Sequence, residues 1–499
     1  MAVEINEAYL DERLAKLEIV RSWSPRVISK LENTIRTADD YDLFRVNPYQ
    51  YAAERDMNPE EALDLFLYAA SMGIFDVEWN LVCAVCGHVV HSLRELNKVH
   101  SDFFCDFCAV ENHVSLDDYI HVTFSIAPPI RRISYHEPDT LPIEDYYARY
   151  HFSKGLLPYG GVYPIDELFK MLTVLMAELE PGEKKTFTID LNPGRLQCKD
   201  LRHGALLMVV VDDNGASEPK TIPLNVMDGQ FELPNHSVAP LRLEVPPSLV
   251  FSFPQVSATS TGQALIEVEN KMDKKSPVLI LFYPQDFQAH FVEFESFLSG
   301  KKLLTSQTFR DLFRGETLAS DEGIGVQDIT LLFTDLKGST AMYDAIGDLK
   351  AYYLVRQHFV TLTTAIGNHA GAVVKTIGDA VMASFMEPVS AVNAAIEMLE
   401  EMQELNRNIS GDLILKIGIH RGHSIAVSLN DRLDYFGQTV NIAARVQALA
   451  EPGEIYITQE VHSYPGVSDI LAECTVTSDE VNVKGVREKL KVYEIAVKA

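Results

Sequence analysis

Residues 325–499 alternate strand-like and helix-like patterns, and this alternation restricts the fold more than any other feature of the chain. The strand patterns include DITLLFTD, the hairpin AVVKTIGDAVMASF and LILKIGIHRG, with helical patterns between and after them. Along the chain the order is strand, helix, strand, strand, helix, strand. This order predicts an α+β, ferredoxin-like core, in which one sheet carries its helices on one face.

Two carboxylates occur at strand ends in this segment. Asp335 closes the first strand pattern, and Asp379 follows a glycine at the tip of the hairpin. If the two strands are neighbours, the carboxylates can hold two Mg²⁺ or Mn²⁺ ions about 4 Å apart. Lys337 and Gly338 begin a small-residue turn, 337–340, whose N–H groups suit phosphate. Taken singly, a strand-end cap and a turn aspartate are the simpler interpretations.

A second group of polar residues follows on a predicted helix. Asn441 and Arg445 are four residues apart and share one helical face. An amide and a guanidinium together suit a pentavalent phosphate and a ribose oxygen. Lys484, in NVKG, is a candidate ligand for the β- and γ-phosphates. The alternatives are a solvated helical pair and an exposed turn lysine.

Lys375 and Asp434 are suited to reading a purine base. An ammonium donor and a carboxylate acceptor match adenine, where N1 accepts and the exocyclic amine donates. Guanine shows the reverse polarity at these two positions, so the pair favours ATP over GTP.

The segments FTDLKGST, VKTIGDAVMASF, LDYFGQTVNIAAR and NVKG, in this order, resemble the catalytic domain of class III nucleotidyl cyclases of the adenylate type. The resemblance implies conversion of ATP to 3′,5′-cyclic AMP and pyrophosphate. In that family each site lies between two catalytic domains, so one chain with both groups of residues implies a head-to-tail homodimer. The implied roles are metal binding by Asp335 and Asp379, base selection by Lys375 and Asp434, transition-state contacts by Asn441 and Arg445, and phosphate binding by Lys484.

Two CxxC pairs, Cys83 with Cys86 and Cys105 with Cys108, lie in a segment that we interpret as a zinc ribbon, 81–115. Each pair supplies two thiolates from one tight turn, and four thiolates suit one tetrahedral Zn²⁺. Such a site has no open position, so it would be structural. Four buried cysteines without metal and a redox pair are the alternatives.

The remaining segments are predicted from local patterns. Residues 1–80 are expected to be helical, with a helix start at Asn58, and a winged-helix unit is one arrangement that fits. Residues 116–300 show short strand patterns typical of a β-sandwich, with a helical insertion at 140–180. Residues 301–324 are predicted to be a connecting amphipathic helix and linker, with 302–318 as the helix.

The N-terminal region, residues 1–300, also resembles an uncharacterised region that precedes cyclase domains in some bacterial proteins. That resemblance implies no function, and we expect a regulatory region for an unknown ligand or protein. A zinc-stabilised binding protein with a weakly active or inactive cyclase domain is the alternative function, and a guanylate cyclase is another.

Composition restricts partners and location. The formal net charge of -28 makes nucleic acid an unfavourable partner. The longest uncharged stretch, 245–266, contains three prolines and does not suggest a membrane span. The first residues lack the apolar core of a signal peptide. Four of the six cysteines are in CxxC pairs, which favours a reducing cytoplasm.

Overall fold

A computed structural model of the 499-residue chain describes residues 4–212, 220–234, 238–245, 249–287, 290–338, 344, 346–409, 413–484 and 489–497. The helices are α1 Glu7–Ile19, α2 Val27–Thr37, α3 Pro48–Glu54, α4 Pro59–Ser71, α5 Ile143–Asp145, α6 Ile165–Leu172, α7 Gly300–Leu304, α8 Gln307–Leu312, α9 Asp348–Asn368, α10 Pro388–Ile409, α11 Gln438–Leu449, α12 Gln459–His462 and α13 Val467–Ile470. Within the described ranges, every helix is too short or too polar to cross a lipid bilayer.

The strands are β1 Phe75–Val82, β2 Val89–Leu93, β3 Asp102–Cys105, β4 Val110–His113, β5 Ile120–Ile126, β6 Thr173–Leu179, β7 Lys184–Leu191, β8 Gly194–Asp200, β9 Leu206–Asp212, β10 Lys220–Met227, β11 Gln230–Glu232, β12 Val238–Val245, β13 Leu249–Ser260, β14 Gly262–Asn270, β15 Ser276–Pro284, β16 Ile324–Leu336, β17 Ala372–Ile377, β18 Ala380–Phe385, β19 Leu415–Leu429, β20 Arg432–Phe436, β21 Ile455–Thr458, β22 Thr475–Val481 and β23 Leu490–Ala496.

The helical start of the chain follows its local signals. The Asn58 side chain accepts from the N–H groups of Glu60 and Glu61, and Pro59 occupies the first turn of α4. Gly73, with φ of 75°, follows the end of that helix. Strand β1 then lies at the centre of a three-stranded sheet in the order β2-β1-β5. The sheet includes β5, which follows the cysteine segment in sequence. The winged-helix arrangement stays a prediction.

The middle of the chain is rich in sheet, as predicted. One sheet has the order β11-β10-β14-β7, and a larger one has the order β3-β4-β13-β9-β8-β15-β6 with β12 on β13. A buried core joins side chains of both sheets, including Ile222 and Ile266 from the first and Leu196 and Val209 from the second. Two sheets sharing one apolar core is the arrangement of a sandwich.

Two helical predictions are wrong in part. The helical insertion ends at Leu172, and TVLMAEL forms β6 because it pairs with β15 along the sheet, which outweighs its helix-favouring composition. The connecting helix 302–318 is two short helices, α7 and α8. Thr305 donates to the carbonyl of Lys302 at 3.0 Å, and Ser306 accepts from Phe309 N at 3.3 Å. These side-chain bonds end one helix and cap the next.

The C-terminal sheet has the order β17-β18-β16-β19-β21-β23-β22, with β20 on β19. The run β19-β16-β18-β17 is antiparallel and has the order of the predicted ferredoxin-like core.

The prediction of helices on one face is wrong. Helices α9 and α10 share a core with Leu332 on one face, whereas α11 packs on the other. There, a Cβ at Gly418 would lie 2.1 Å from Gln447 N, so only glycine allows this approach.

A buried histidine in β5 makes the stability of the N-terminal region depend on pH. The ring of His121 stacks on Phe297 with centroids 3.8 Å apart, and its Nε2 atom is buried without a hydrogen-bond partner among the described residues. Burial lowers the pKa of His121 to about 3. An unfolded histidine titrates near pH 6.5, so between these values only the unfolded chain gains the proton. Stability from this residue is therefore full above pH 6.5 and is lost as pH falls.

We expect the free energy of unfolding of this region to fall by up to about 1.4 kcal/mol per pH unit below pH 6.5 because of His121. His121→Asn should flatten that slope in urea unfolding curves between pH 6.5 and 4.5. The control is His113→Asn, whose side chain is 78% exposed. Equal slopes for His121→Asn and wild type would contradict this assignment.

Candidate functional site

The carboxylate pair, Asp335 and Asp379, lies at the end of β16 and in the turn between β17 and β18. Gly378, with φ of 65°, makes that turn. Burial raises the pKa of Asp335, and the negative charge of Asp379 raises it further, while Lys416 opposes both effects. Asp335 lies opposite Lys416 in the β16–β19 ladder. The two carboxylates therefore lie close enough to repel each other.

This pair is suited to divalent cations. The Asp379 Oδ2 atom is buried and has no hydrogen-bond partner within the described parts of the chain. A buried carboxylate oxygen without a donor is costly, and a second carboxylate nearby adds to the cost. Mg²⁺ or Mn²⁺ bound to both side chains would remove both penalties, because hard cations prefer oxygen ligands.

The predicted base-recognition pair, Lys375 and Asp434, is formed within one chain. Lys375 on β17 reaches Asp434 on β20, with 2.5 Å between Nζ and Oδ2. The other carboxylate oxygen accepts from Tyr435 N at 2.8 Å. Asp434 is 7% exposed, so its carboxylate is held in a defined position. An ammonium and a carboxylate thus lie side by side, as reading one purine edge requires.

The second group of residues lies on and beside α11. Asn441 Nδ2 donates to the carbonyl of Gly437 at 3.2 Å, and Arg445 donates to the carbonyl of Lys484. Helix α11 packs on β19 and β16, which fixes the direction of both side chains' Cα–Cβ bonds. Asn441 and Lys484 are exposed, and Arg445 is half-buried. Sequence spacing alone pointed to Asn441 and Arg445, and the structure adds the contact with Lys484.

The predicted phosphate turn is described only in part. Lys337 N donates to the carbonyl of Ile414 at 2.9 Å, and Gly338 has φ of 69°, so the chain turns directly after β16. Both residues are exposed. Ser339 and Thr340 lie outside the described residues.

Described hydrogen bonds and ion pairs join Lys375 with Asp434, and Arg445 with Lys484. Among the described hydrogen bonds and ion pairs, none joins Asp335 or Asp379 to Asn441, Arg445 or Lys484. One residue near the acids was missed by the sequence reasoning. His358 on α9 is fully buried, and burial lowers its pKa to about 4 although the charge of Asp379 opposes this. A histidine on the apolar face of a predicted helix was the available signal.

The cysteine tetrad is Cys83, Cys86, Cys105 and Cys108, whose sulfur atoms all lie within 4.8 Å of one another. The Sγ–Sγ distances are 3.4 Å for Cys83–Cys108 and 3.7 Å for Cys86–Cys105. Four sulfurs about 2.3 Å from a tetrahedral Zn²⁺ lie about 3.8 Å apart, so the donor set fits this ion. Burial raises the pKa of Cys86, so without a cation this thiol stays protonated.

Neighbouring strands hold the second knuckle in place. Gln197 Nε2 on β8 donates to the carbonyl of Phe107 at 2.7 Å, and Lys199 donates to the carbonyl of Asp106. Gln197 and Lys199 are both buried. Strand β4, which follows the knuckle, pairs with β13 of the larger sheet. The tetrad therefore lies where the helical start of the chain meets the sheet-rich middle.

Comparison with known proteins divides the chain into an N-terminal region and a C-terminal domain. Residues 10–311 match a family of unknown function (DUF5939), and residues 324–497 match the adenylate and guanylate cyclase catalytic domain. A putative adenylate cyclase 3 of Rhizobium meliloti (strain 1021) is 36% identical over 105 residues, which is 21% of this chain and 17% of that protein. An adenylate cyclase of Anabaena cylindrica is 28% identical over 183 residues, 34% of this chain and 36% of that protein.

These matches are partial, because the chain spans only 17% and 36% of the length of the two relatives. Among solved structures, the adenylyl cyclase CyaB from P. aeruginosa matches at 23% identity and a TM-score of 0.33, over 36% of this chain and 97% of that one. The sequence resemblance to class III cyclases is confirmed by the family match. The chain belongs to the family of unknown function DUF5939, and its residues 324–497 are an adenylate and guanylate cyclase catalytic domain.

Proposed function

We propose that this protein is an adenylate cyclase, which converts ATP to 3′,5′-cyclic AMP and pyrophosphate. The family match includes cyclases for either purine. The observation that supports ATP as the substrate is the contact between Lys375 Nζ and Asp434 Oδ2, 2.5 Å apart. In this arrangement Lys375 donates to adenine N1, and Asp434 accepts from the exocyclic amine. Guanine would place a donor against the ammonium and an acceptor against the carboxylate, and both contacts would be lost.

The reaction is an in-line displacement at the α-phosphorus. The ribose 3′-oxygen forms the new bond, the bond between the α-phosphorus and the bridging oxygen breaks, and pyrophosphate leaves. Asp335 and Asp379 are the residues that would hold two Mg²⁺ or Mn²⁺ ions, which lower the pKa of the 3′-hydroxyl and neutralise phosphate charge. Arg445 stabilises the charge that builds on the equatorial oxygens, and Asn441 orients the ribose.

We assign the phosphate end of the nucleotide to two turns, the one that follows β16 and the one between β22 and β23. Lys484 contributes a point charge to the β- and γ-phosphates, and its carbonyl already holds Arg445. Lys337 and the N–H of Gly338 would contact phosphate oxygens beside the carboxylate pair, a role that their position directly after β16 supports.

We infer that two chains complete each site head to tail. The acid pair and the Asn441–Arg445–Lys484 group share no described hydrogen bond or ion pair, and the resemblance to class III cyclases implies that the two groups meet across two catalytic domains. Apolar side chains near the site are also exposed: Ile377 by 53%, Leu429 by 48% and Phe436 by 65%. Burying such side chains against a second copy is favourable. Because each chain carries both groups, a closed dimer would have two equivalent sites.

We assign two roles to the N-terminal region, a structural one and a regulatory one. We propose that the cysteine tetrad holds one structural Zn²⁺, which fixes the junction of the helical and sheet-rich parts. The N-terminal region also contacts the catalytic sheet directly: Leu116 N donates to the carbonyl of Gly325 at 2.9 Å, and Gln327 N donates to Asp117 Oδ2 at 2.7 Å. A ligand or protein bound to this region can therefore act on the catalytic sheet.

Substitution of Lys375 tests the choice of ATP. Lys375→Met removes the ammonium and keeps the length of the side chain. A lost charged hydrogen bond corresponds to about a 10- to 100-fold fall in kcat/KM for ATP. We expect a smaller change for GTP, measured as cyclic nucleotide formation from each substrate. Lys491→Met, at an exposed position on β23, is the matched control. An equal fall for both nucleotides, or a wild-type preference for GTP, would reject the adenylate assignment.

A further inference from the structure

Helix α8 joins the N-terminal region to the strands that carry the base-recognition pair. On one side, Thr308 donates to Asp64 Oδ1 of α4 at 2.6 Å. The Phe309 ring packs edge-on against Trp79 of β1, with ring centroids 6.1 Å apart. Phe309 and Trp79 are both fully buried. These contacts fix α8 on the N-terminal helices and on their sheet.

The opposite side of α8 holds the edge strand β17 through its main chain. Gln307 Oε1 accepts from Val373 N at 2.8 Å. Strand β17 is the outermost of the described strands on this side of the sheet, so its outward N–H groups have no described strand partner there. The ladder between β17 and β18 is irregular between Val373 and Lys375. Gln307 therefore anchors the chain at an irregular step two residues before Lys375.

The same helix holds β20, which carries the other member of the pair. Arg310 Nη1 donates to the carbonyl of Leu433 at 3.1 Å, and its Nε donates to the carbonyl of Leu304 at 2.8 Å. The guanidinium carbon lies 5.7 Å from the centroid of the Tyr435 ring. Leu433 and Tyr435 are the two sequence neighbours of Asp434. Arg310 therefore anchors the main chain immediately beside this carboxylate.

We propose that Gln307 and Arg310 are positioning residues that set the spacing between Lys375 and Asp434, and thereby the selection of the purine base. The inference rests on the proposed function in one respect, namely that this pair reads the base. One short helix holds both strands, although the two residues of the pair are far apart in sequence. Loss of either anchor frees one strand, while Asp335 on β16 and Asn441 and Arg445 on α11 keep their own supports. The turn that carries Asp379 is held from its other side by β18, which pairs with β16.

The consequence is specific to adenine. A misplaced Lys375 or Asp434 weakens the two contacts that only ATP makes, whereas contacts to phosphate and ribose are shared by ATP and GTP. A general loss of structure would instead weaken both nucleotides. The ratio of ATP to GTP affinity therefore separates a positioning role from a merely structural one.

The test measures equilibrium dissociation constants of the full-length protein for ATP and for GTP, with cyclic nucleotide formation recorded separately. Gln307→Met removes the acceptor at similar size, whereas Gln307→Glu keeps an acceptor for Val373 N. We expect Gln307→Met and Arg310→Ala to weaken ATP binding about threefold to tenfold and GTP binding less than about twofold. Gln307→Glu should restore ATP affinity. The control is Arg314→Ala. Arg314 lies two residues beyond the end of α8, and its side chain is 80% exposed.

Two results overturn the inference: ATP affinity of Gln307→Met and Arg310→Ala equal to that of the Arg314→Ala control, or equal losses of ATP and GTP affinity. Wild type that binds ATP but forms no cyclic nucleotide would refute the proposed reaction, and the binding comparison would still decide the positioning role. Wild type that binds neither nucleotide would refute both. Thermal midpoints of the variants show whether each is folded.

Discussion

Asp335→Ala and Arg445→Ala are each expected to abolish cyclic AMP formation, and an equal mixture of the two variants is expected to recover part of it. In the proposed mechanism Asp335 holds the metal ions and Arg445 contacts the reacting phosphate, and losses of at least about a hundredfold are typical of such groups. In a mixed head-to-tail dimer, one site receives both substitutions and the other receives neither. With random pairing, half of the dimers are mixed, so about a quarter of wild-type activity should return.

The mixing experiment needs two controls. Asp479→Ala and Arg314→Ala remove exposed side chains of the same types and should leave activity near wild type. Exchange of subunits must be shown directly, for example with two differently tagged chains. Dimers that mix fully without regaining activity would contradict a site shared between two chains.

Cys105→Ser is the second substitution with a large expected effect. The tetrad lies at the junction of two parts of the chain, with Cys83 and Cys105 buried and the other two cysteines half-buried, and Gln197 of strand β8 is hydrogen-bonded to the knuckle. Loss of one thiolate should reduce bound zinc from about one ion per chain to almost none. The binding energy of a structural zinc is folding energy, so the thermal midpoint of the N-terminal region should fall by about 10 °C or more.

Metal analysis and thermal unfolding check this prediction together. Cys474→Ser is the control, since Cys474 lies outside the tetrad, and it should change neither the zinc content nor the midpoint of the N-terminal region. A strong chelator should reproduce the effect of Cys105→Ser in wild type. Wild-type protein purified without zinc, with a midpoint unaffected by Cys105→Ser, would contradict a structural metal and favour a plain thiol cluster.

Local signals predicted the elements that depend on neighbours in sequence. The helix start at Asn58 and Pro59 was predictable because an amide cap and a proline act within one turn. The order of strands and helices after residue 325 was predictable for a similar reason, since each element has its own hydrophobic period. The cysteine spacing predicted a cluster, and the structure brings all four sulfur atoms together.

What the sequence left out depends on contacts between distant segments. Strand β6 was predicted as helix from its local pattern. Its partner in the sheet, β15, begins about a hundred residues later, so the local pattern could not show the pairing. The placement of α11 on the second face of the sheet depends on Gly418, which lies outside that helix. The contacts of Gln307 and Arg310 with β17 and β20 were also unpredictable, because nothing in their own segment shows which strands lie beside it.

The adenylate cyclase assignment is tested most directly by the formation of cyclic nucleotides by the purified full-length protein, with ATP or GTP and with Mg²⁺ or Mn²⁺, beside Asp379→Ala. We expect 3′,5′-cyclic AMP from ATP in excess of cyclic GMP from GTP, and neither product from the Asp379→Ala protein. Cyclic AMP formation that survives Asp379→Ala, or dimeric wild-type protein that forms no cyclic nucleotide with either metal, would contradict it.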